Sequence, residues 1–192
     1  MSDTIIKQLK DDKEYYGGIG KNYLSNSDVL NYAYFFTSLF KSEKPKIAIM
    51  CSNNPIMLPL ELSSWLSQGQ SISVYDTDTI ETVIFKLNLS KTNIFACDKK
   101  AFDLIKNENI KENTKINQIF LLEKCDIPEN FEKENDIIVN KLWPSAIKLK
   151  APLNEIDFSK KLEKIKASDV AKIIFTSGTT GNPKLIPLSH NN

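Results

Sequence analysis

The chain has 192 residues, of which 41% are hydrophobic and 26% charged, as is typical of a globular protein with a substantial core. Its formal net charge of +1 excludes an electrostatic footprint for nucleic acid or for an anionic membrane surface. The only histidine is His190, which excludes a histidine-based catalytic triad or a multi-histidine metal site built from this chain alone, and no metal ligand is predicted.

Residues 1–15 are rich in polar side chains and are predicted to form a loosely ordered N-terminus, too polar for a secretory signal. The longest apolar stretch is interrupted by Glu61, so no membrane-spanning segment is predicted. The three cysteines, Cys51, Cys97 and Cys125, lie far apart and are odd in number, which argues against a metal site and a closed disulfide framework. These features favour a cytoplasmic protein with reduced thiols.

Hydrophobic periodicity then predicts strands that alternate with helices of about ten residues. The predicted elements are a helix over 29–40 capped by Ser27 and Asp28, a strand over 46–51, a helix over 55–67, a strand over 71–75, a helix from a capping box at Asp78–Glu81 to about Leu89, a strand over 93–97, a helix over 99–107 and a strand over 116–122. This order indicates an α/β fold, a mainly parallel sheet with helices on both faces.

Between Asp126 and Phe158 the alternation stops and three prolines interrupt the chain. This stretch is predicted to be an irregular connection with one short strand near 137–139, and Trp143 is predicted to attach it to the core. A short helix over 159–166 precedes the next strand.

The end of the chain carries the strongest functional signal. An apolar run ending at Phe175 leads into a glycine- and hydroxyl-rich loop, and a second apolar run begins at Leu185. Glycines allow close backbone approach to a ligand, and successive turn N–H groups form an anion-binding nest. Hydroxyl groups and a lysine add donors and positive charge. The predicted phosphate-binding residues are Thr176, Ser177, Gly178, Thr179, Thr180, Gly181 and Lys184.

The loop differs from a Walker A motif, in which Gly-Lys-Ser/Thr opens a helix. Asn182 and Pro183 separate the glycine from Lys184, and Pro187 with β-type neighbours predicts a strand after the loop. The predicted geometry is strand–loop–strand. A polar hairpin on a generic flavodoxin-like domain is the structural alternative.

The segment Phe175–Lys184 resembles the phosphate-binding signature of the adenylate-forming (AMP-binding) superfamily, which usually reads aromatic-Thr-Ser-Gly-Ser/Thr-Thr-Gly-x-Pro-Lys-Gly. Leu185 stands where the last glycine is usual. Lys46–Pro55 is similar to the family's first core strand and Asn-x-Pro helix start. Further positions on the family pattern are Asp169, Ala171, Ser189, His190 and Asn192.

The resemblance covers roughly residue 20 to the terminus and only the opening portion of the family's large N-terminal domain. It implies one partial AMP-binding domain over 16–192, with the phosphate-binding loop at 175–184. It also implies a parent enzyme similar to acyl-CoA synthetases, an ATP-dependent acid–thiol ligase. Such an enzyme activates a small carboxylic acid as an acyl-adenylate, uses ATP with Mg²⁺, and passes the acyl group to a thiol such as coenzyme A.

In this resemblance Lys184 stabilises the departing pyrophosphate, and no residue of the chain is assigned a catalytic proton transfer. The family's aromatic-Gly-x-Thr-Glu segment does not occur in the chain, and its ribose-binding aspartate, hinge and C-terminal lysine would lie beyond Asn192. The chain alone is therefore expected to lack ligase activity and to need a C-terminal portion or an adjacent chain. The alternative is a non-catalytic truncated or split-gene product, or a module that binds a nucleotide or partner without turnover.

Overall fold

The computed structural model of the chain describes residues 15–19, 22–143, 154–176 and 183–192. The prediction of a loosely ordered N-terminus over residues 1–15 lies outside these ranges, except for Tyr15, where the first strand begins.

Helices and strands alternate through most of the described part. They are β1 (Tyr15–Ile19), β2 (Asn22–Ser25), α1 (Asn26–Thr37), β3 (Lys46–Met50), α2 (Met57–Leu66), β4 (Gln70–Ser73), α3 (Ile80–Leu89), β5 (Ile94–Cys97), α4 (Lys99–Ile105), α5 (Ile110–Asn113), β6 (Gln118–Leu121), α6 (Phe131–Asn135), β7 (Ile138–Lys141), α7 (Glu155–Glu163), β8 (Val170–Thr176) and β9 (Lys184–Ser189).

Seven strands form one sheet in the order β7-β6-β5-β3-β4-β8-β9, while β1 and β2 pair separately. Every neighbouring pair in the large sheet is parallel except β8 and β9, which are antiparallel. The predicted α/β fold with a mainly parallel sheet is confirmed. Within the described residues, no helix combines the length and apolar character needed to cross a membrane.

The central strand β3 shows why both faces of the sheet are covered. Ala48 and Met50 lie in a core with residues of α3 and α4, whereas Ile47 and Ile49 lie in a second core with residues of α1 and α2. Successive strand side chains point to opposite faces, so a strand buried on both faces is apolar at every position. This explains the continuous apolar runs in the sequence.

The start of α1 was predicted wrongly. The helix begins at Asn26, and Ser25 is its N-cap instead of Ser27 or Asp28. The Ser25 hydroxyl accepts from the backbone N–H of Asp28 at 3.2 Å, and the Asp28 carboxylate accepts from the backbone N–H of Ser25 at 3.0 Å. All four residues from Ser25 to Asp28 are of types that can cap a helix, and the reciprocal pair of Ser25 and Asp28 satisfies two backbone donors at once.

The start of α3 also differs from the prediction. Thr79 is its N-cap and accepts from the backbone N–H of Thr82 at 3.4 Å. Asp78 accepts instead from the backbone N–H of Tyr75 at 3.0 Å and forms an ion pair with Lys86. The carboxylate is therefore committed to a buried cation and is not a cap.

The connection over 126–158 contains β7, which confirms the short strand predicted near 137–139, but it is more regular than predicted because it also contains α6. Helix α7 begins four residues before its predicted start, with Asn154 as its N-cap. Helices α5 and α6 were not predicted. Both are too short to show periodicity, and each instead buries one large side chain, Ile110 and Phe131 respectively. Trp143 packs partly buried against the core, as predicted.

Candidate functional site

The predicted strand–loop–strand geometry is confirmed by β8 and β9, which form an antiparallel hairpin. Thr176 and Lys184 are Cα partners, the last pair of the hairpin before the residues that connect its two strands, and both are exposed. We call these two facing residues the hairpin mouth. The structure thus places two of the seven predicted phosphate-binding residues opposite each other. The other five lie outside the described residues: Ser177, Gly178, Thr179, Thr180 and Gly181.

Leu185 stands where the family signature usually has its last glycine, and the contacts of Leu185 show how the strand accommodates this change. It pairs with Phe175 and packs, partly buried, against the core below α3. Because side chains alternate along a strand, a leucine that points inward leaves Lys184 pointing outward. The replacement of glycine therefore anchors the strand and keeps the lysine at the surface.

The hairpin mouth lies at the carboxyl edge of the parallel sheet. Strand β8 runs parallel to β4, and β4 runs parallel to β3, so Thr176 lies at the edge where these strands end. Strand β4 lies on one side of β3, and β5, the next strand in the chain, lies on the other side. The direction in which strands are added to the sheet therefore reverses between the neighbours β3 and β5. Ligands of open α/β sheets bind outside this edge, near such a reversal.

At the reversal itself, Asp98 joins the ends of β3 and β5. One carboxylate oxygen accepts from the backbone N–H of Ser52 at 2.9 Å and from its hydroxyl at 3.2 Å, and the other accepts from the backbone N–H of Ala101 at 2.9 Å. The residue is only 5% exposed. Asp98 is committed to protein partners and holds the two strand ends together.

Helix α2 holds β8 from one side of the sheet. The indole N–H of Trp65 donates to the carbonyl of Ala171 at 2.8 Å, and the Lys172 ammonium pairs with the Glu61 carboxylate at 2.6 Å. The Trp65 ring also meets the ring of His190 edge-on, with centroids 5.5 Å apart. These contacts fix the hairpin against the body of the protein.

The flanking residues that fit the family pattern lie at the opposite end of the hairpin from its mouth. The backbone N–H of His190 donates to the carbonyl of Asp169 at 3.1 Å, and the Asn192 side-chain oxygen accepts from the backbone N–H of Ser189 at 2.7 Å. His190 is buried and lies six residues from Lys184, roughly 20 Å along an extended strand. These residues close the base of the hairpin and stay far from its mouth.

Lys86 is a residue near the site that the sequence did not identify. It is 3% exposed, its ammonium lies 2.5 Å from the Asp78 carboxylate, and it approaches the rings of Tyr75 and Phe175 with centroid distances of 4.9 and 5.3 Å. Its position three residues after the buried Val83 was the available signal, because that spacing puts a lysine on the apolar face of α3.

The three thiols are free, as predicted. Cys97 is buried, and burial raises its pKa well above the ordinary value. Burial, with smaller contributions from Asp98 and Glu123, raises the pKa of Cys51 to about 12. The pKa of Cys125 is also raised, mainly by burial. Among the described residues, no group of three or more His, Cys, Asp or Glu side chains is placed to hold a metal ion.

Alkylation by iodoacetamide at pH 8 is expected to modify Cys125 first and Cys51 far more slowly. The thiolate is the nucleophile, and a pKa raised from 9.0 to about 12 lowers the thiolate fraction of Cys51 by about a thousandfold. Mass spectrometry of the native chain over time measures the rates, and the unfolded chain, in which all three thiols react, is the control. Rapid modification of native Cys51 would contradict this burial.

Residues 26–192 match the family described as AMP-binding enzyme. The chain is 28% identical over 192 residues to long-chain-fatty-acid–CoA ligase 5 of Mus musculus, covering 97% of this chain and 25% of that protein. It is 23% identical over 175 residues to long-chain-fatty-acid–CoA ligase ACSBG2 of Homo sapiens, and this match covers 86% of this chain and 25% of that protein. The chain therefore spans about a quarter of the length of these curated relatives.

The fold is shared by solved structures, of which two serve as examples. The Vibrio cholerae adenylation domain AlmE, in complex with glycyl-adenosine-5'-phosphate, has a TM-score of 0.73 and 15% identity, covering 98% of this chain and 35% of that one. The anthranilate CoA ligase AuaEII, in complex with anthranoyl-AMP, has a TM-score of 0.72 and 12% identity, and the match covers 98% of this chain and 34% of that one. At these identities the likeness concerns the fold alone.

Proposed function

The chain belongs to the AMP-binding enzyme family, and on that premise we propose that it carries the ATP-phosphate-binding hairpin of an acid–thiol ligase similar to acyl-CoA synthetases. In the proposed reaction, a carboxylate oxygen attacks the α-phosphate of ATP, and pyrophosphate leaves as the acyl-adenylate forms. A thiol such as coenzyme A then attacks the acyl carbonyl, and AMP leaves. The observation that carries the proposal is the hairpin mouth at the carboxyl edge of the sheet.

The groups at the mouth suit phosphate oxygens. An exposed ammonium and an exposed hydroxyl on opposite strands are donors, and Lys184 offsets the negative charge of a triphosphate tail. We extend this role to Ser177, Gly178, Thr179, Thr180 and Gly181, which connect the two strands and lie outside the described residues. Lys184 would also stabilise the pyrophosphate as it departs.

Mg²⁺ is proposed to reach the site bound to the nucleotide, where it would neutralise part of the phosphate charge. The donor set at the mouth supports this route, because an ammonium repels a cation. Thr176 and Lys184 therefore act on the phosphate oxygens.

We further propose that the 192 residues bind a triphosphate without completing the ligation. Support comes from the span of the chain, about a quarter of the curated relatives' length. A continuation of the chain or a second polypeptide would supply the rest of the acid and adenine sites. A nucleotide-binding module without turnover is the alternative, and an in-frame continuation of the gene distinguishes the two.

Lys184→Ala in the 192-residue chain is expected to weaken MgATP binding by at least about tenfold. A hydrogen bond to a charged group contributes roughly 1.5–3 kcal/mol, and 1.4 kcal/mol corresponds to a factor of ten. Equilibrium dialysis with radiolabelled ATP measures the affinity. Lys141→Ala is the matched control, because Lys141 is also an exposed terminal strand residue, but on β7 at the other end of the sheet.

The same preparation is expected to show no carboxylate-dependent exchange of pyrophosphate into ATP. Exchange by the wild-type chain would refute the proposed lack of turnover. Equal MgATP affinities of the wild type and the Lys184→Ala variant, or no binding by the wild type, would refute the phosphate-binding role.

A further inference from the structure

The inner face of α3 carries a charge among apolar neighbours. Val83 and Leu87 are 0% and 2% exposed, and Lys86 between them is 3% exposed. A buried ammonium is costly unless it is paired, and Asp78 supplies the pair at 2.5 Å. An apolar side chain of similar size would fill this space at a lower cost. The placement of the charge therefore calls for a reason other than packing.

The ammonium of Lys86 contacts rings from two other segments. Its distance to the ring centroid is 4.9 Å for Tyr75, which follows β4, and 5.3 Å for Phe175, which lies near the end of β8. A cation within about 6 Å of a ring is attracted to the ring face. Asp78 also holds Tyr75 through the backbone N–H of that residue. One cation thus links α3, the connection before it and the end of β8.

Phe175 is the last buried residue before the hairpin mouth. It is 5% exposed and pairs with Leu185, and the next pair along the hairpin is Thr176 with Lys184. Whatever fixes the ring of Phe175 also fixes the position from which these two side chains reach into solvent. The contacts of α2 act farther back, at Ala171 and Lys172.

We propose that Lys86, paired with Asp78, is a positioning residue for phosphate binding: it fixes Phe175 and thereby the spacing of Thr176 and Lys184. This inference rests on the proposed function of the hairpin. Without the cation, the Phe175 ring loses its attraction to α3, and the mouth takes a wider range of positions. The Asp78 carboxylate would also lose its ion-pair partner.

Lys86→Met tests the proposal, because methionine keeps the unbranched shape and removes the charge. The variant is expected to bind MgATP about fivefold more weakly than the wild type, and Lys86→Arg within about twofold, since arginine keeps the ion pair and the ring contact. Lys106→Met is the matched control, because it removes an ion pair of 2.6 Å with Asp103 at the end of α4, the helix that follows β5. Its affinity is expected to be unchanged.

The ring proton resonances of Phe175 provide a second readout that a general loss of stability would not move. They are expected to shift in Lys86→Met and to stay in place in Lys106→Met and Lys86→Arg. Affinity is measured by equilibrium dialysis on the 192-residue chain, with thermal unfolding of each variant recorded in parallel. If Lys86→Met does not fold, Asp78→Asn replaces it, since asparagine still accepts from the Tyr75 N–H but no longer pairs with the cation.

Asp78→Asn is expected to bind MgATP about threefold more weakly than the wild type, because the Lys86 ammonium loses the carboxylate that holds it beside the Phe175 ring. The positioning role is overturned if Lys86→Met binds MgATP as tightly as the wild type while Lys184→Ala binds it weakly. If Lys86→Met does not fold, the same result for Asp78→Asn overturns it. Either result leaves the proposed function intact. Lys86→Arg binding as weakly as Lys86→Met also overturns it. Wild-type affinity in Lys184→Ala removes the proposed function, and the role of Lys86 with it.

Discussion

Trp65→Ala is expected to lower the free energy of unfolding by about 4 kcal/mol, the usual range for a large buried aromatic side chain. Trp65 is 6% exposed, donates to the Ala171 carbonyl at 2.8 Å and packs edge-on against His190. The substitution opens a cavity between α2 and the hairpin and removes a donor from a buried carbonyl. Because domains are stable by only about 5–15 kcal/mol, much of the total stability would be lost.

Urea unfolding followed by circular dichroism measures this loss. Trp65→Phe separates the two contributions: it keeps most of the ring and is expected to cost about 1–2 kcal/mol, largely for the missing indole donor. Trp143→Ala is the matched control, because Trp143 is only partly buried, against the core that contains residues of α3 and α4. The loss of stability in this variant is expected to be smaller. Equal losses for the two tryptophans would contradict the special role of the contact between α2 and β8.

Gly69→Ala is expected to lower the free energy of unfolding by at least about 3 kcal/mol, at the upper end for overpacking. A Cβ at this position would lie 2.0 Å from the carbonyl oxygen of Pro45 and 2.8 Å from its ring. The backbone has little freedom to move away. The Gly69 N–H donates to the Ser64 carbonyl at 2.7 Å, and the N–H of Gln70 donates to the Pro45 carbonyl at 2.8 Å.

The same urea titration measures this variant, with Ser67→Ala as its control. Ser67 is the C-cap of α2 and is partly exposed, so its replacement is expected to change stability by no more than about 0.5 kcal/mol. A neutral Gly69→Ala would show that the segments before β3 and β4 can separate without cost.

Gly69 also shows how far local pattern leads. A glycine directly after a helix is usually the residue that takes positive φ. Here Gln68 takes that conformation, with φ of 56°, and Gly69 is needed because the Pro45 backbone passes against it. The two segments are more than twenty residues apart in the chain, so the contact between Gly69 and Pro45 cannot be predicted from the residues next to either one.

Local patterns predicted the alternation of helices and strands and the strand–loop–strand arrangement at the end of the chain. Each depends on periodicity or on residues within about ten positions of one another. The family signature at 175–184 is local in the same way. The same patterns misplaced the starts of α1 and α7, where neighbouring residues can each cap a helix, and missed α5 and α6, which are too short to show a period.

The partners of the charged and polar groups were decided by the order of the strands. Trp65 meets Ala171 and Lys86 meets Phe175 because β8 enters the sheet beside β4, after the chain has already built β5, β6 and β7 on the other side. Likewise, Ser52 meets Asp98 because β5 is laid next to β3. A residue's burial is encoded by its immediate neighbours, whereas its partner depends on which distant strand is placed alongside, and that follows from packing the whole sheet.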